Sequence, residues 1–410
     1  VAVARPLKLK AEVFPRRHLP SEITGIARVW VDSGIYHLDT EFDYAIPESL
    51  DSVVEIGVRI IVPFGNRECE AIVLERRDVI GNQAGLKQII KAVSAFPVAT
   101  TESLRLIAEV SKRWAAHPYD VLRSAIPPRS AAVDKEAIEI VKEPNLPKKL
   151  ARKYLQFPPG KDVYRLIAEY LAARSSAGSV LVLLPDTRSI ERLREFVSHA
   201  TVLDSHLDKA DRYRNYLKTI RDRELVVLGT RSSVFAPLPD LAEIIIVDDG
   251  SESYYEQRSP GWNARDVAVL RSQLNMISLT MMGFSPSAEV ARMIENGWIK
   301  YQPVKASLVV RSFQATSGEL LPSGIFSPIR SALKKGPVLF ISPRKGYSQS
   351  ILCTQCRNVS ICECGGRYLQ RGAGRAIECS LCQKRQIDWR CAWCQSQKFF
   401  LMGRGSERFA

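Results

Sequence analysis

Long apolar runs are missing from this 410-residue chain. None approaches the roughly 18 residues from which a membrane-spanning helix is read. Histidine is scarce, 5 in all and none after His206, which removes imidazole from any metal site beyond that point. Cysteine is nearly absent before Cys353, where only Cys69 occurs. A lone cysteine in an apolar strand pattern reads as a small buried hydrophobe, not a ligand. Acidic residues fall short of basic ones, 44 against 58, leaving a formal charge of +14. Such an excess favours a polyanionic partner, because each neutralised phosphate releases counterions. A solvated basic surface with no partner would give the same count. The length allows about two to four domains with sizeable cores.

What is present is concentrated. Eight of the nine cysteines lie between Cys353 and Cys394, as the close pairs Cys353/Cys356, Cys362/Cys364, Cys379/Cys382 and Cys391/Cys394. A thiolate pair on a tight turn takes two corners of a tetrahedron and a second pair takes the others, so four pairs suit two zinc ions. The segment is poor in large apolar residues, and metal would supply its folding energy, about 10–16 kcal/mol per structural zinc. The competing reading is a disulfide-rich domain. No signal peptide is read ahead of it and disulfides are rare in the cytosol, so a cytoplasmic zinc module is expected. Between Arg344 and Arg408 twelve Lys/Arg face four Asp/Glu, and two zinc ions on eight thiolates leave the stretch net positive. Arg367, Arg371, Arg375, Lys384 and Arg385 interleave there with Tyr368 and Trp389, which suits single strands. Equally, Trp389, Trp393 and Phe399 could pack against a neighbouring lobe.

Along the chain, residues 1–25 are basic and proline-punctuated and read as a flexible arm. Short strands follow at Ile26 to Val31, Phe42 to Pro47, Gly57 to Gly65 and Ala71 to Leu74, with a further apolar run around Leu86 to Ile90. Their spacing suggests a small β-barrel or sandwich. A helix is expected over Thr101 to Trp114, capped by Thr100 or Thr101 and ended by His117-Pro118. Residues 127–160, rich in Pro, Lys and Ala, read as a linker. From Asp162 the pattern alternates. Strands are expected at Val180–Leu184, Leu225–Leu228, Glu243–Val247, Ile277–Met281 and Val304–Val310. Helices are expected at Asp162–Arg174, Arg188–His199, Lys209–Arg223, Ala264–Gln273 and Ala288–Glu295. This argues for a mostly parallel sheet covered on both faces. A last strand, Val338 to Ile341, would lead into the cysteines. The chain begins at Val1 and stops at Ala410 after a basic stretch, as expected of a piece of a longer protein.

Three blocks carry a family resemblance. The first is Phe42-Asp43-Tyr44 with Val62-Pro63-Phe64-Gly65. The second is Gly229-Thr230-Arg231-Ser232-Ser233-Val234-Phe235-Ala236-Pro237-Leu238, followed by Asn263-Ala264-Arg265-Asp266. The third is the cysteine array, closed by Gly403-Arg404-Gly405-Ser406-Glu407. In this order they resemble the PriA family of replication-restart DNA helicases. The resemblance implies a multidomain fold: a small β-barrel-like DNA-end-binding domain at 26–126, a RecA-like α/β helicase lobe at 161–342 and a binuclear zinc module at 343–410. The second helicase lobe and the family's C-terminal domain would lie beyond Ala410. The linker is too short for the winged-helix domain the family usually carries.

The resemblance also implies roles. A pocket for the 3′ end of a strand would use Phe42, Asp43, Tyr44, Gly65 and Lys87. Cys353, Cys356, Cys391 and Cys394 would share one zinc, and Cys362, Cys364, Cys379 and Cys382 the other. In Cys362-Glu363-Cys364 a single residue intervenes where the family has two, so the inner site is expected to be weaker or distorted. The nucleotide residues are Gly160, Lys161, Asp248 and Asp249, and their surroundings depart from the pattern. A P-loop points several backbone N–H groups at phosphate and adds a lysine and a hydroxyl. Phe157-Pro158-Pro159-Gly160-Lys161-Asp162 keeps the lysine, but its prolines have no N–H, the hydroxyl is gone and Asp162 adds a negative charge. Asp248-Asp249-Gly250-Ser251 replaces the family's acidic motif, and Phe284-Ser285-Pro286-Ser287 its coupling motif. The expectation is a replication-restart protein that recognises forked or single-stranded DNA by the 3′ end and helps assemble the primosome without helicase activity. Its partners would be other primosome proteins, the replicative helicase-loading machinery and single-stranded DNA-binding protein, with no membrane involved. The alternatives are an active ATP-dependent 3′–5′ helicase and a zinc-stabilised interaction scaffold.

Overall fold

The computed structural model describes residues 22–78, 85–136, 150–174, 177–305, 310–314, 322–341 and 347–402. Two compact units divide the chain, residues 1–306 and 307–410.

The first unit begins with five antiparallel strands: β1 (Ile23–Val31), β2 (Phe42–Pro47), β3 (Arg59–Phe64), β4 (Arg67–Arg77) and β5 (Lys91–Ala92). They lie in the order β2-β1-β4-β3-β5. Alternation along β1 explains its two burdens. Ala27, Val29 and Val31 turn to one core with Ile60 and Val62, while Trp30 turns to another. Between β2 and β3 the chain 87–90 supplies a link: the Ala45 N–H donates to the Lys87 carbonyl (3.0 Å), Ile89 N–H to Ala45 O (3.1 Å) and Ile90 N–H to Ile61 O (2.9 Å). Hydrogen bonding thereby returns from one edge of the sheet toward the other. Because β1 starts at Ile23, the tail of the expected arm is strand.

Helix α1 (Thr101–Trp114) has the expected bounds, with Thr100 and Ser103 forming a reciprocal capping box (2.9 and 3.2 Å). His117-Pro118 ends it but also starts α2 (Pro118–Ala125), because proline is preorganised for the first helical position. These helices share one apolar core with Trp30 and Ile72 on one side and Tyr213, Tyr216 and Phe235 on the other. The Tyr216 hydroxyl donates to Val98 O (2.8 Å), and the buried Arg271 guanidinium donates to Glu102 (3.0 Å) and Val234 O (2.9 Å).

The second part of this unit alternates: β6 (Arg152–Gln156), α3 (Val163–Ala172), β7 (Ser179–Leu183), α4 (Thr187–Arg194), β8 (Thr201–Leu203), α5 (Lys209–Arg221), β9 (Val226–Gly229), β10 (Leu241–Val247), α6 (Ala264–Asn275), β11 (Ser278–Gly283), α7 (Ala288–Glu295) and β12 (Lys300–Gln302). The seven strands are all parallel, in the order β12-β6-β11-β10-β7-β9-β8. Ile244 and Ile246 of β10 enter the core shared with α1, and Ile245 and Val247 enter the core on the opposite face with Ile167 of α3. A sheet buried on both faces is what the apolar strand runs require. Residues 127–160 are not all linker, since β6 pairs with β11 and β12 inside the sheet. The strand expected at Val304–Val310 is instead the short β12, ending at Gln302; residues 306–309 lie outside the described residues.

The second unit holds α8 (Phe326–Leu333), the antiparallel pair β13 (Ser350–Cys353) and β17 (Phe399–Met402), and the three-stranded β14 (Tyr368–Gln370), β15 (Ile377–Cys379) and β16 (Arg385–Gln386). Its core is small: Ile351, Tyr368, Ile377 and Trp389 packed with cysteines. Val338 to Ile341 do not form the expected strand. They have no ladder partner among the described residues, and Leu339 and Ile341 are 84 % and 87 % exposed. The block from Gly403 to Glu407 lies outside the described residues.

Candidate nucleic-acid and metal sites

Strand β2 splits the expected trio between two faces. Phe42 and Tyr44 turn inward, where Phe42 meets Phe64 edge-to-face at 5.1 Å and Tyr44 is 4 % exposed. The Tyr44 hydroxyl donates to Pro63 O (3.1 Å), and burial pushes its pKa up to about 12. Gly65 follows Phe64 as the first residue of a two-residue hairpin loop, with φ +59°, a conformation glycine adopts without penalty. Lys87 is exposed, and its carbonyl holds Ala45 of β2. Four of the five expected residues are thus tied to the end of β2 and the β3–β4 hairpin. Tyr44 supports this wall from inside; Phe42 is its half-buried aromatic face.

Asp43 faces the other way. Its Oδ1 accepts from Arg28 Nε (3.2 Å) on the neighbouring strand and from Arg77 Nη2 (2.8 Å). Its hydrogen bond raises the Arg28 pKa. Asp43 also lines a cleft of about 910 Å³ with Arg28, Trp30, Phe42 and Lys112. Sequence reasoning did not find Arg28, Arg77, Trp30 or Lys112. Only the β1–β2 register, which sets Arg28 opposite Asp43, would have signalled the first of them.

The residues expected to take nucleotide gather at the carboxyl ends of parallel strands, the usual ligand-binding edge of such a sheet. Gly160 and Lys161 follow β6, Asp248 and Asp249 follow β10, and both loops attach to β11: Phe157 N–H donates to Gly283 O (2.8 Å) and Asp248 N–H to Met282 O (2.7 Å). The N-terminus of α3 is already occupied. Asp162 caps it, its Oδ1 accepting from the backbone N–H of Tyr164 (3.0 Å) and Arg165 (3.4 Å). Those are donors a phosphate would need. Asp248 is exposed with φ +57°. Asp249 is 1 % exposed; its Oδ2 accepts from Ser287 N–H (3.1 Å), its Oδ1 has no partner among the described residues, and burial raises its pKa. The acidic motif is therefore bonded to the Phe284-to-Ser287 loop.

All eight clustered cysteines are free thiols and converge in two tetrads. Cys353, Cys356, Cys391 and Cys394 form one, Cys362, Cys364, Cys379 and Cys382 the other, with the sulfurs of each within 4.8 Å of one another. Across pairs the sulfurs stand 3.4 Å (Cys353–Cys394), 3.5 Å (Cys356–Cys391), 3.7 Å (Cys362–Cys382) and 3.4 Å (Cys364–Cys379) apart. That is too long for a disulfide. It approaches the edge, about 3.8 Å, of a tetrahedron with 2.3 Å metal–sulfur bonds. Each tetrad could hold a metal ion. The shifts differ within each tetrad: the Cys356 N–H draws the Cys353 pKa down to about 6 and the Tyr368 hydroxyl does the same for Cys362, while the neighbouring sulfurs push Cys394 up to about 12 and Cys382 up to about 11. The one-residue spacing of Cys362-Glu363-Cys364 does not break up the inner tetrad. It is the more open of the two, with Cys364 and Cys382 exposed. Trp389, a candidate for base stacking, is 5 % exposed; its indole N–H donates to Ser360 (2.7 Å) and its ring meets Phe399 at 5.5 Å. Tyr368 is also buried, whereas Trp393 is 74 % exposed. Cys69 is buried in the β1–β4 core, as its solitary place in the sequence suggested.

Comparison with known proteins follows this division. Residues 28–127 match the 3′ DNA-binding domain (3′BD) of PriA. The probable replication restart protein PriA of Mycobacterium leprae (strain TN) is 32 % identical over 427 residues, covering 91 % of this chain and 65 % of that protein. The corresponding protein of Mycobacterium tuberculosis (strain H37Rv) is 32 % identical over 91 % of this chain and 64 % of its own length. The replication restart protein PriA of Rickettsia felis is 28 % identical over 89 % of this chain and 62 % of its length. The chain therefore spans somewhat less than two thirds of these relatives.

Proposed function

The chain belongs to the PriA family of replication restart proteins, and from that premise we propose that it recognises forked or single-stranded DNA by the 3′ end and promotes primosome assembly without hydrolysing ATP. In this reading the β1–β5 sheet is the end-binding barrel and the seven-stranded sheet a RecA-like lobe that no longer turns over ATP. The two cysteine tetrads take zinc, which suits four thiolates at tetrahedral spacing better than any oxygen-seeking ion. Partners are the other primosome proteins, the helicase-loading machinery and single-stranded DNA-binding protein.

The observation that carries the loss of ATP turnover is the Asp162 carboxylate seated on the first N–H groups of α3. Phosphoryl transfer depends almost wholly on positioning and charge. Here a fixed anion takes the donors, and Pro158 and Pro159 have none to add. The test is steady-state ATP hydrolysis by the purified chain with forked DNA. The expected outcome is no turnover above background and fork binding that ATP leaves unchanged. Turnover abolished by Lys161→Ala would instead support an active helicase.

A further inference from the structure

We propose that Arg28 and Arg77 are positioning residues of the DNA-end site, holding Asp43 so that one carboxylate oxygen stays open to an incoming base. The inference rests on the reading that residues 42–44 take the strand end. Both guanidiniums bond the same atom, Asp43 Oδ1, at 3.2 and 2.8 Å. Among the described residues Oδ2 has no partner, and Asp43 lines the 910 Å³ cleft beside Phe42. A carboxylate is an acceptor only. One held at a single oxygen by two rigid planar donors presents the other in a fixed direction, which a freely rotating aspartate on a strand surface would not.

The charges around the pair argue against the obvious alternative, that the arginines grip phosphate. Arg28 also lies 3.6 Å from Glu41 and 3.6 Å from Glu75, and Arg77 3.7 Å from Glu75. Two guanidiniums against three carboxylates leave the cluster with net negative charge, the wrong sign for a phosphate backbone. The placement is also built into the sheet. Register sets Arg28 opposite Asp43, and a bulge between Arg28 and Val29 brings Glu75 opposite Arg28. Asp43, Arg28 and Arg77 each keep about a third of their side-chain surface exposed, 37 %, 35 % and 37 %. Ion pairs at that exposure add little stability, so substitution leaves the domain folded.

The experiment compares two forks that differ only at the 3′ terminus, free hydroxyl against 3′-phosphate. It uses the whole chain, Asp43→Ala, the double variant Arg28→Gln/Arg77→Gln, and Arg28→Lys/Arg77→Lys. The expected result is that wild type prefers the free end. The Gln double variant then loses this preference by roughly tenfold, with little change on the blocked fork, and adding Asp43→Ala to it costs nothing further. The Lys variant, which keeps charge but not the planar fork, recovers only part of the preference. Equal weakening on both forks by the Gln variant, with the preference intact, overturns the proposal and makes the arginines backbone contacts. Loss of preference in Asp43→Ala but not in the Gln variant also overturns it, while sparing the end-binding reading. Absence of any preference in wild type sinks both.

Discussion

Asp249 carries a cost that its neighbours only partly relieve. One oxygen accepts from Ser287, the other is buried with no partner among the described residues, and burial raises the group's pKa. The ionised form is therefore disfavoured in the folded state. Because the folded pKa lies above the unfolded one, the native state binds the extra proton, and stability declines as pH rises through that raised value. Asp249→Asn keeps an acceptor for Ser287 and removes the charge. It is expected to be more stable than the parent at pH 7, with the difference shrinking as pH falls toward the ordinary carboxylate range. Denaturant midpoints at several pH values check this; a difference independent of pH would contradict it. In the sequence Asp162 stood only as the first helical residue and as a negative charge; its capping of α3, which begins at Val163, is what the structure adds. The bonds of Asp43 to Arg28 and Arg77, 15 and 34 residues away, were not legible there either.

Elements whose reason is local came out of the sequence nearly whole. Helix α1 matches its expected bounds because cap and apolar stripe coincide, and α7 does too, started by Ser287. Where the reason is a neighbour, the reading failed. Strand β6, Arg-Lys-Tyr-Leu-Gln, looks polar, and only its place between β11 and β12 makes it a strand. Val338 to Ile341 has the apolar composition of a strand and finds no partner to pair with among the described residues. The hairpin behind the proposed end site makes a further test. Space around a Cβ at Gly65 is open, so substitution there meets only backbone strain at φ +59°. Gly65→Ala should destabilise by about 1–2 kcal/mol in chemical denaturation and should weaken fork binding by displacing Phe64 from Phe42. Unchanged stability would mean that the loop relaxes into another turn.

At the scale of the whole molecule, the first unit does not need metal and the second has little else. One apolar core joins the β1–β5 sheet, α1, α2 and the parallel sheet, whereas half of the second unit's buried core residues are cysteines. Chelation should therefore release two metal equivalents per chain and unfold the cysteine region, while residues 22–305 keep their protection. Metal analysis with limited proteolysis reads both. Release of one equivalent, or simultaneous loss of both units, would contradict the expected division. The sequence alone determined the class of each part. Cysteine spacing, apolar runs of strand length and helix-start residues are properties of near neighbours along the chain, and a chain that must bury its apolar face obeys them wherever it folds. Tertiary structure alone decided which groups face one another. It set two arginines on Asp43, buried Trp389 and Tyr44, and drew the shortened Cys362-Glu363-Cys364 turn into its tetrad. Strand register and packing fix those meetings, and neither is a local quantity.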